Sequence, residues 1–225
     1  MKILSLDTTE QACSAALLLD DELVERFEVA PRQHSRLLLP MVESLLAGAG
    51  LALAQLDALA FARGPGSFTG VRIATAVAQG LALAVDLPVV PVSSLLALAQ
   101  GAARARGARQ ILALLDARMQ EVYALAGVRG EDGLMQAQGA ETVGPPAAVS
   151  LPGGGDWVLA GSGVATYGEV LAHLGSTQLP ECQVHAADVA RLAVALVRRG
   201  EMVAAEAALP MYLRDQVAQK MTPLN

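Results

Sequence analysis

Two carboxylates stand where chemistry could start. Asp7-Thr8-Thr9 puts an acid and two hydroxyls at the end of an alternating apolar run, and Asp116-Ala117-Arg118 repeats the placement after residues 111–115. Such a group orients a metal-bound phosphate, or it only ends a strand, because Asp and Thr are common turn residues. Between the two lies Gly64-Pro65-Gly66-Ser67-Phe68-Thr69-Gly70-Val71-Arg72, and a shorter turn, Gly161-Ser162-Gly163, comes later. A glycine-rich strand-to-helix turn can cradle a phosphate on its amides, or it can simply turn the corner. Asp7, Thr8, Gly64, Gly66 and Gly161 are the candidate nucleotide contacts, with Asp7 and Asp116 facing each other across a cleft.

Known phosphate and catalytic motifs do not fit. A P-loop needs Gly-Lys-Ser/Thr, yet the glycine turn has no lysine, and Lys2 and Lys220 are the chain's only two. A dinucleotide fingerprint would need Gly at position 69, where Thr stands. Only Arg72 and Arg118 could balance a transferring phosphate. His34, His173 and His185 lack metal-ligand spacing, so no metal site is expected; His34 opens a helix, and the other two read as surface residues. There is no GxSxG elbow. Cys13 and Cys182 form no CxxC pattern, and Cys13 reads as a small buried hydrophobe. No catalytic residue is assigned.

Composition narrows the class. With 225 residues, 53% of them hydrophobic, the chain can build one large domain or two of about 110. A net charge of −6 opposes tight binding to a phosphate backbone, and 3% aromatics supply no stacking surface for bases. RNA contact would need another subunit's positive surface. The N-terminal segment does not read as a signal peptide, and apolar runs such as residues 81–85 are too short for a bilayer. A cytoplasmic protein without membrane contact is expected.

The elements that must position these residues read as two similar units. Residues 2–6, 14–19 and 23–29 predict an antiparallel meander. A helix follows over 33–48, its wide stripe made by Leu37, Leu38, Met41, Val42, Leu45 and Leu46, with Pro40 expected to bend it. A buried strand over 56–62 leads into the glycine turn and a helix to Val85. On that helix Gly70, Ala74, Ala78 and Ala82 form a strip of small side chains, which suits either the chain's own sheet or a partner helix. A strand over 89–92 and a helix over 95–104, capped by Ser93 or Ser94, complete the first unit. Arg104, Arg106 and Arg109, with Gly101 and Gly107, read as a solvated junction. The second unit has strands over 111–115, 121–128 and 134–139, a long loop around Pro145-Pro146 and Gly153–Gly155, a strand over 157–160, and helices over 164–174 and 186–199. The fold class is α/β: two ribonuclease-H-like domains, 1–106 and 107–225, with mixed sheets flanked by helices.

Five motifs carry a resemblance over nearly the full length. They are Ile3-Leu4-Ser5-Leu6-Asp7-Thr8-Thr9, Gln33-His34-Ser35-Arg36-Leu37-Leu38-Leu39-Pro40, the glycine turn through Ile73, Leu115-Asp116-Ala117-Arg118-Met119 with Glu121-Val122-Tyr123, and Pro210-Met211-Tyr212-Leu213-Arg214-Asp215. Together they resemble the TsaB (YeaZ) family. The resemblance implies an actin-like ATPase (ASKHA) fold and a pseudoenzyme role. Such a chain would be the non-catalytic partner of TsaD in forming threonylcarbamoyladenosine beside the tRNA anticodon. TsaD would hold the metal and transfer the threonylcarbamoyl group, and the P-loop ATPase TsaE would join the pair. A homodimer is implied when the chain is alone, tRNA contact only through the complex, and ATP or ADP only at an interface with partners. TsaD-like sequences carry two metal-binding histidines after a Pro-Val pair; here Ser94 and Leu98 follow Pro91-Val92. The resemblance places the partner interface on His34, Arg36, Leu37, Leu38, Met41, Val42 and Leu45 of one helix, and on Gly70, Arg72, Ala74, Ala78 and Leu81 of the next. The tail 212–225 is expected to return to the first domain. The alternative is a catalytically active nucleotide-dependent phosphotransferase or ATPase of the same fold.

Overall fold

The computed structural model describes residues 1–214. The first half contains β1 (Lys2–Asp7), β2 (Ala12–Leu19), β3 (Glu22–Val29), α1 (His34–Ala49), β4 (Ala58–Gly64), α2 (Phe68–Val85), β5 (Val89–Ser93) and α3 (Ser94–Arg106). The second contains β6 (Gln110–Arg118), β7 (Glu121–Arg129), β8 (Met135–Ala137), β9 (Thr142–Gly144), β10 (Trp157–Ala160), α4 (Ser162–Leu171), β11 (Thr177–Leu179) and α5 (Ala186–Arg198). One sheet runs β3-β2-β1-β4-β5 and the other β11-β10-β6-β7-β8, with β9 also on β7. In each, the early strands pair antiparallel, and β4 and β5 in the first sheet and β10 and β11 in the second add in parallel. The expected α/β class with two mixed sheets is what forms.

Alternation along the strands separates the layers. Leu4, Leu6, Leu59 and Phe61 face α1 and α2, whereas Ile3, Ala58, Ala60 and Ala62 face inward. On the second sheet Leu112 and Leu114 pack toward α4, while Ile111, Ala113 and Leu115 join the inward core. That inner layer is α3 and α5, and the two helices are exchanged. α3 packs mainly on β6, β7 and β8, and α5 on β1, β2, β4 and β5.

This exchange corrects the expected second domain. The return to the first sheet begins at Ala186, not at residue 212. Val203 bridges to Val89, Ala205 and Ala208 enter the first core, and Met211 N–H donates to Arg63 O at 2.7 Å. Of the expected tail, 215–225 lie outside the described residues. Arg104, expected in a link, instead lies on α3 and is paired. Its guanidinium donates at 3.3 and 3.2 Å to the carboxylate of fully buried Asp188, which also accepts from Arg191 at 3.0 Å. Gly101 makes room for it: a Cβ there would lie 2.8 Å from Asp188 Oδ2.

Other differences are local. α1 runs on across Pro40, whose ring sits on the exposed side, so only one ladder bond is lost. The strand expected over 134–139 stops at Ala137, two residues before Gly139 at φ 93°, and β9 resumes the pairing on β7. α2 is the one helix among the described residues long and apolar enough to cross a membrane, with 18 residues at mean hydropathy 1.5. Attention to short apolar runs alone had missed it. It lies on the sheet through Gly70, Ala74, Ala78 and Ala82, with Ala76, Gly80, Leu83 and Ala84 outward.

Asp188 joins the exchanged helices through buried charge, and an amide in its place loses that charge and turns one accepting oxygen into a donor facing a guanidinium. Because both arginines are partly exposed, Asp188→Asn is expected to lower unfolding stability by about 2 kcal/mol in urea titration. An unchanged midpoint would show that the cluster contributes nothing to holding α5.

Candidate functional site

The expected nucleotide cradle is occupied by the chain's own backbone. Ser67 N–H donates to Thr9 O at 2.7 Å, and the Thr8 hydroxyl donates to Gly70 O at 2.7 Å. A Cβ at residue 66 would lie 2.5 Å from Thr9 O, and one at residue 70 would lie 1.9 Å from Thr8 O. No side chain fits there, so Gly66 and Gly70 let the start of α2 press onto the end of β1. Ser67 caps α2, its Oγ accepting from Gly70 N at 3.0 Å. Gly64 N–H donates to Ser94 Oγ at 3.1 Å, while Ser93 caps α3. Gly161, at φ 110°, approaches the second half in the same way: its Cβ would lie 2.4 Å from Leu114 O and 2.5 Å from Leu98 Cδ2. Ser94 and Leu98, which the resemblance sets against the TsaD-like histidines, are both fully buried.

Glu10, which the sequence reading did not single out, lies near both Asp7 and Asp116. Asp7 is fully buried; its Oδ1 accepts from Thr9 N at 3.1 Å and Thr9 Oγ1 at 2.6 Å. Glu10 accepts a hydrogen bond from the Ser162 hydroxyl, and Ser162 Oγ accepts from Asp116 N at 3.0 Å. The turn after β1 is thus tied to the turns after β6 and β10. Asp116 itself pairs with Arg118 at 2.9 Å. Burial pushes Asp7 up to about 7. It does the same to Glu10, which the nearby Asp7 and Asp116 raise further. Asp7 Oδ2 and Glu10 Oε2 have no hydrogen-bond partner among the described residues. Only the closeness of Glu10 to Asp7 in sequence hinted at this pair.

These groups can hold protons, and the hydroxyls of Thr9 and Ser162 donate to them. Cys13 is buried, and burial pushes its thiol up to about 12. Among the described residues no group of three or more His, Cys, Asp or Glu is placed to hold a metal. His185 is not a free surface residue: it stacks on Phe27 at 4.2 Å and bonds Glu25 at 3.0 Å.

The expected partner face is divided by burial. His34, Leu38, Val42 and Leu45 of α1, with Gly70, Ala74 and Ala78 of α2, are buried in the chain itself. They are corrected from partner contacts to core, because the first sheet takes that side of both helices. Leu37, Met41 and Leu81 are half-buried, and Arg36 and Arg72 are exposed. The outward strip of small residues is instead Ala76, Gly80 and Ala84, and a Cβ at Gly80 would meet nothing within 4 Å. Exposed Leu39 and Leu83 flank it.

The pH dependence follows from the buried carboxyls. In the unfolded chain they ionise near their ordinary values of 3.8 and 4.5, but in the fold only near 7. Between those limits the unfolded chain has released protons that the fold keeps, so rising pH costs stability. Glu10→Gln can still accept from Ser162. It should gain stability over the parent as pH rises from about 4.5 to 7, by on the order of 2 kcal/mol, and hold that gain above. Denaturant titrations at pH 4.5 and 8 check this; a pH-independent difference would rule out a titrating Glu10.

A family model described as "TsaD: tRNA N6-adenosine threonylcarbamoyltransferase" matches residues 27–221. The tRNA threonylcarbamoyladenosine biosynthesis protein TsaB of Escherichia coli (strain K12) is 41% identical over 232 residues, covering 99% of either chain. Its Haemophilus influenzae namesake is 52% identical over 123 residues, 55% of this chain and 52% of that one. The solved structure of YeaZ from Pseudomonas aeruginosa is 46% identical with a TM-score of 0.91, covering 94% of this chain and 99% of its own. Another, described as an uncharacterized protein with similarity to peptidase YEAZ, matches with the same TM-score and identity. With the paired mixed sheets, these likenesses establish the actin-like fold. A match that runs the length of both chains and extends to the coordinates leaves one conclusion: the chain belongs to the TsaB (YeaZ) family of tRNA threonylcarbamoyladenosine biosynthesis proteins.

Proposed function

We propose that this chain is the non-catalytic partner subunit of a TsaD transferase in forming threonylcarbamoyladenosine on tRNA. The observation that carries the reading is the full-length similarity to the E. coli protein of that name, 41% identity over 99% of both chains. Geometry supports it. The glycine turns are filled by backbone, and Leu98 lies in the core where a TsaD-like ligand would stand. Arg72, which closes the glycine motif, is stacked on Phe68 at 3.5 Å and bonded to Tyr212 Oη at 2.8 Å. TsaE joins the pair, and tRNA is reached only through the complex. ATP or ADP binds at an interface with partners, the chain alone is a homodimer, and the compartment is the cytoplasm.

The docking face in this reading is the outward side of α1 and α2. Small residues at 76, 80 and 84 allow close helix approach, while Leu39, Leu83 and the half-buried Leu37, Met41 and Leu81 supply apolar area. Charges at Leu38 or Ala78 would enter the core and unfold the monomer, so they do not test the interface. Gly80→Trp and Leu83→Glu do. Each is expected to weaken TsaD binding about a hundredfold, ~2.7 kcal/mol, by calorimetry, with the monomer's circular dichroism unchanged. Full-strength binding by both would move the interface elsewhere. Reconstitution with purified TsaD, TsaE and threonylcarbamoyl-adenylate tests the function itself. Modified nucleoside should fall to background without this chain, and equal yield in its absence would reject the subunit role.

A further inference from the structure

A groove separate from the cleft of Asp7 and from the α1–α2 face opens where the edges of the two sheets meet. It lies between β5, an edge strand of the first sheet, and the β8–β9 segment of the second, with the C-terminal half of α5 alongside. Its volume is about 590 Å³, within the usual range for small-molecule sites. Val92, Leu96, Leu125, Leu134, Leu192 and Leu196 give it an apolar wall.

One polar cluster is set into that wall. Arg63 Nη2 donates to Glu141 Oε2 at 3.1 Å, and the Ser93 hydroxyl donates to Glu141 Oε1. The side chains of Arg63 and Glu141 are 22% and 9% exposed, so the pair is held largely away from water. A guanidinium carries five N–H donors. The described residues accept one of them, and Nη1 is buried without an acceptor. Donor capacity therefore exceeds what the described residues use, and an unmet charged donor in such a place is costly.

The charges decide what can complete it. Arg63 and Glu141 balance each other, and at the rim Arg199 pairs with Glu201. A carboxylate brought to Arg63 would be repelled by the adjacent Glu141, and by Asp132 at the mouth. An ammonium would be repelled by Arg63 itself. A carbonyl oxygen accepts from the guanidinium and leaves the balance unchanged. We propose that this groove binds a small, uncharged, amphipathic molecule: an aliphatic or aromatic body against the leucines, ending in a carbonyl that accepts from Arg63.

Titrating the full ¹⁵N-labelled chain with N-butylacetamide, butyrate and butylammonium tests this. The amide probe should produce saturable shifts at the backbone amides of Ser93, Leu96, Leu134 and Gly139, and the charged probes should bind at least about fivefold more weakly. Ala195→Phe, which fills the groove from α5, should abolish those shifts while the rest of the spectrum stays in place. Arg63→Met should weaken amide binding about fivefold. Should Arg63→Met not fold, the three probes and Ala195→Phe still give the answer. Absence of saturable shifts at these amides, equal binding of butyrate, or shifts that survive Ala195→Phe would overturn the proposal. None of these outcomes bears on the TsaD partnership, which uses the opposite face of the first sheet.

Discussion

The carbonyl oxygens of Thr8 and Thr9 occupy the space where side chains at residues 70 and 66 would begin. That close approach fixes where α2 starts, since the Ser67 cap and the Thr8–Gly70 bond are made in the same few ångströms. Once α2 is pressed onto β1 there, its periodicity decides which residues lie below it. Gly70, Ala74, Ala78 and Ala82 go to the sheet, and positions two residues later go to solvent. The glycines of the turn are required by this packing. The exposed side of the helix is set by the same contact.

The inner layer has a comparable consequence for motion. Folds with a cleft between two domains usually open and close because few contacts cross the boundary. Here α3 leaves the first sheet to lie on the second, α5 returns to the first, and one apolar core contains residues from both sheets. Arg104–Asp188, Glu10–Ser162 and Arg63–Glu141 add polar ties between the chain's halves on different sides of that core. Opening the cleft would break all of these together.

Much of this could be read from the chain beforehand, and the reason is physical. β1, β4 and β10 are short apolar runs with turn residues at their ends, and α1 and α2 have helical period over four or more turns. Period-two and period-3.6 patterns survive without knowledge of the neighbours. What could not be read depends on neighbours. β9 and β11 have three residues each, too few for any period to show. Nothing in α3 or α5 says which sheet each will choose, so the return at Ala186 was missed. Arg104 looked like linker charge because its partner, Asp188, is 84 residues away.

The two small strips of α2 show where pattern reading stops. Residues 70, 74, 78 and 82 form one series and 76, 80 and 84 another, on opposite sides of the same helix. Either could face a sheet or a second protein, and mean hydropathy cannot separate them, since the whole helix reaches 1.5. Shape separates them. A flat sheet of leucines accepts a continuous line of alanines, and the Thr8 carbonyl admits only glycine at the first position of that line. The outer series has no such constraint within the chain: Gly80 meets nothing, although alanine there would favour the helix by about 1 kcal/mol. On that open face the small side chains leave room for a neighbouring helix to approach closely.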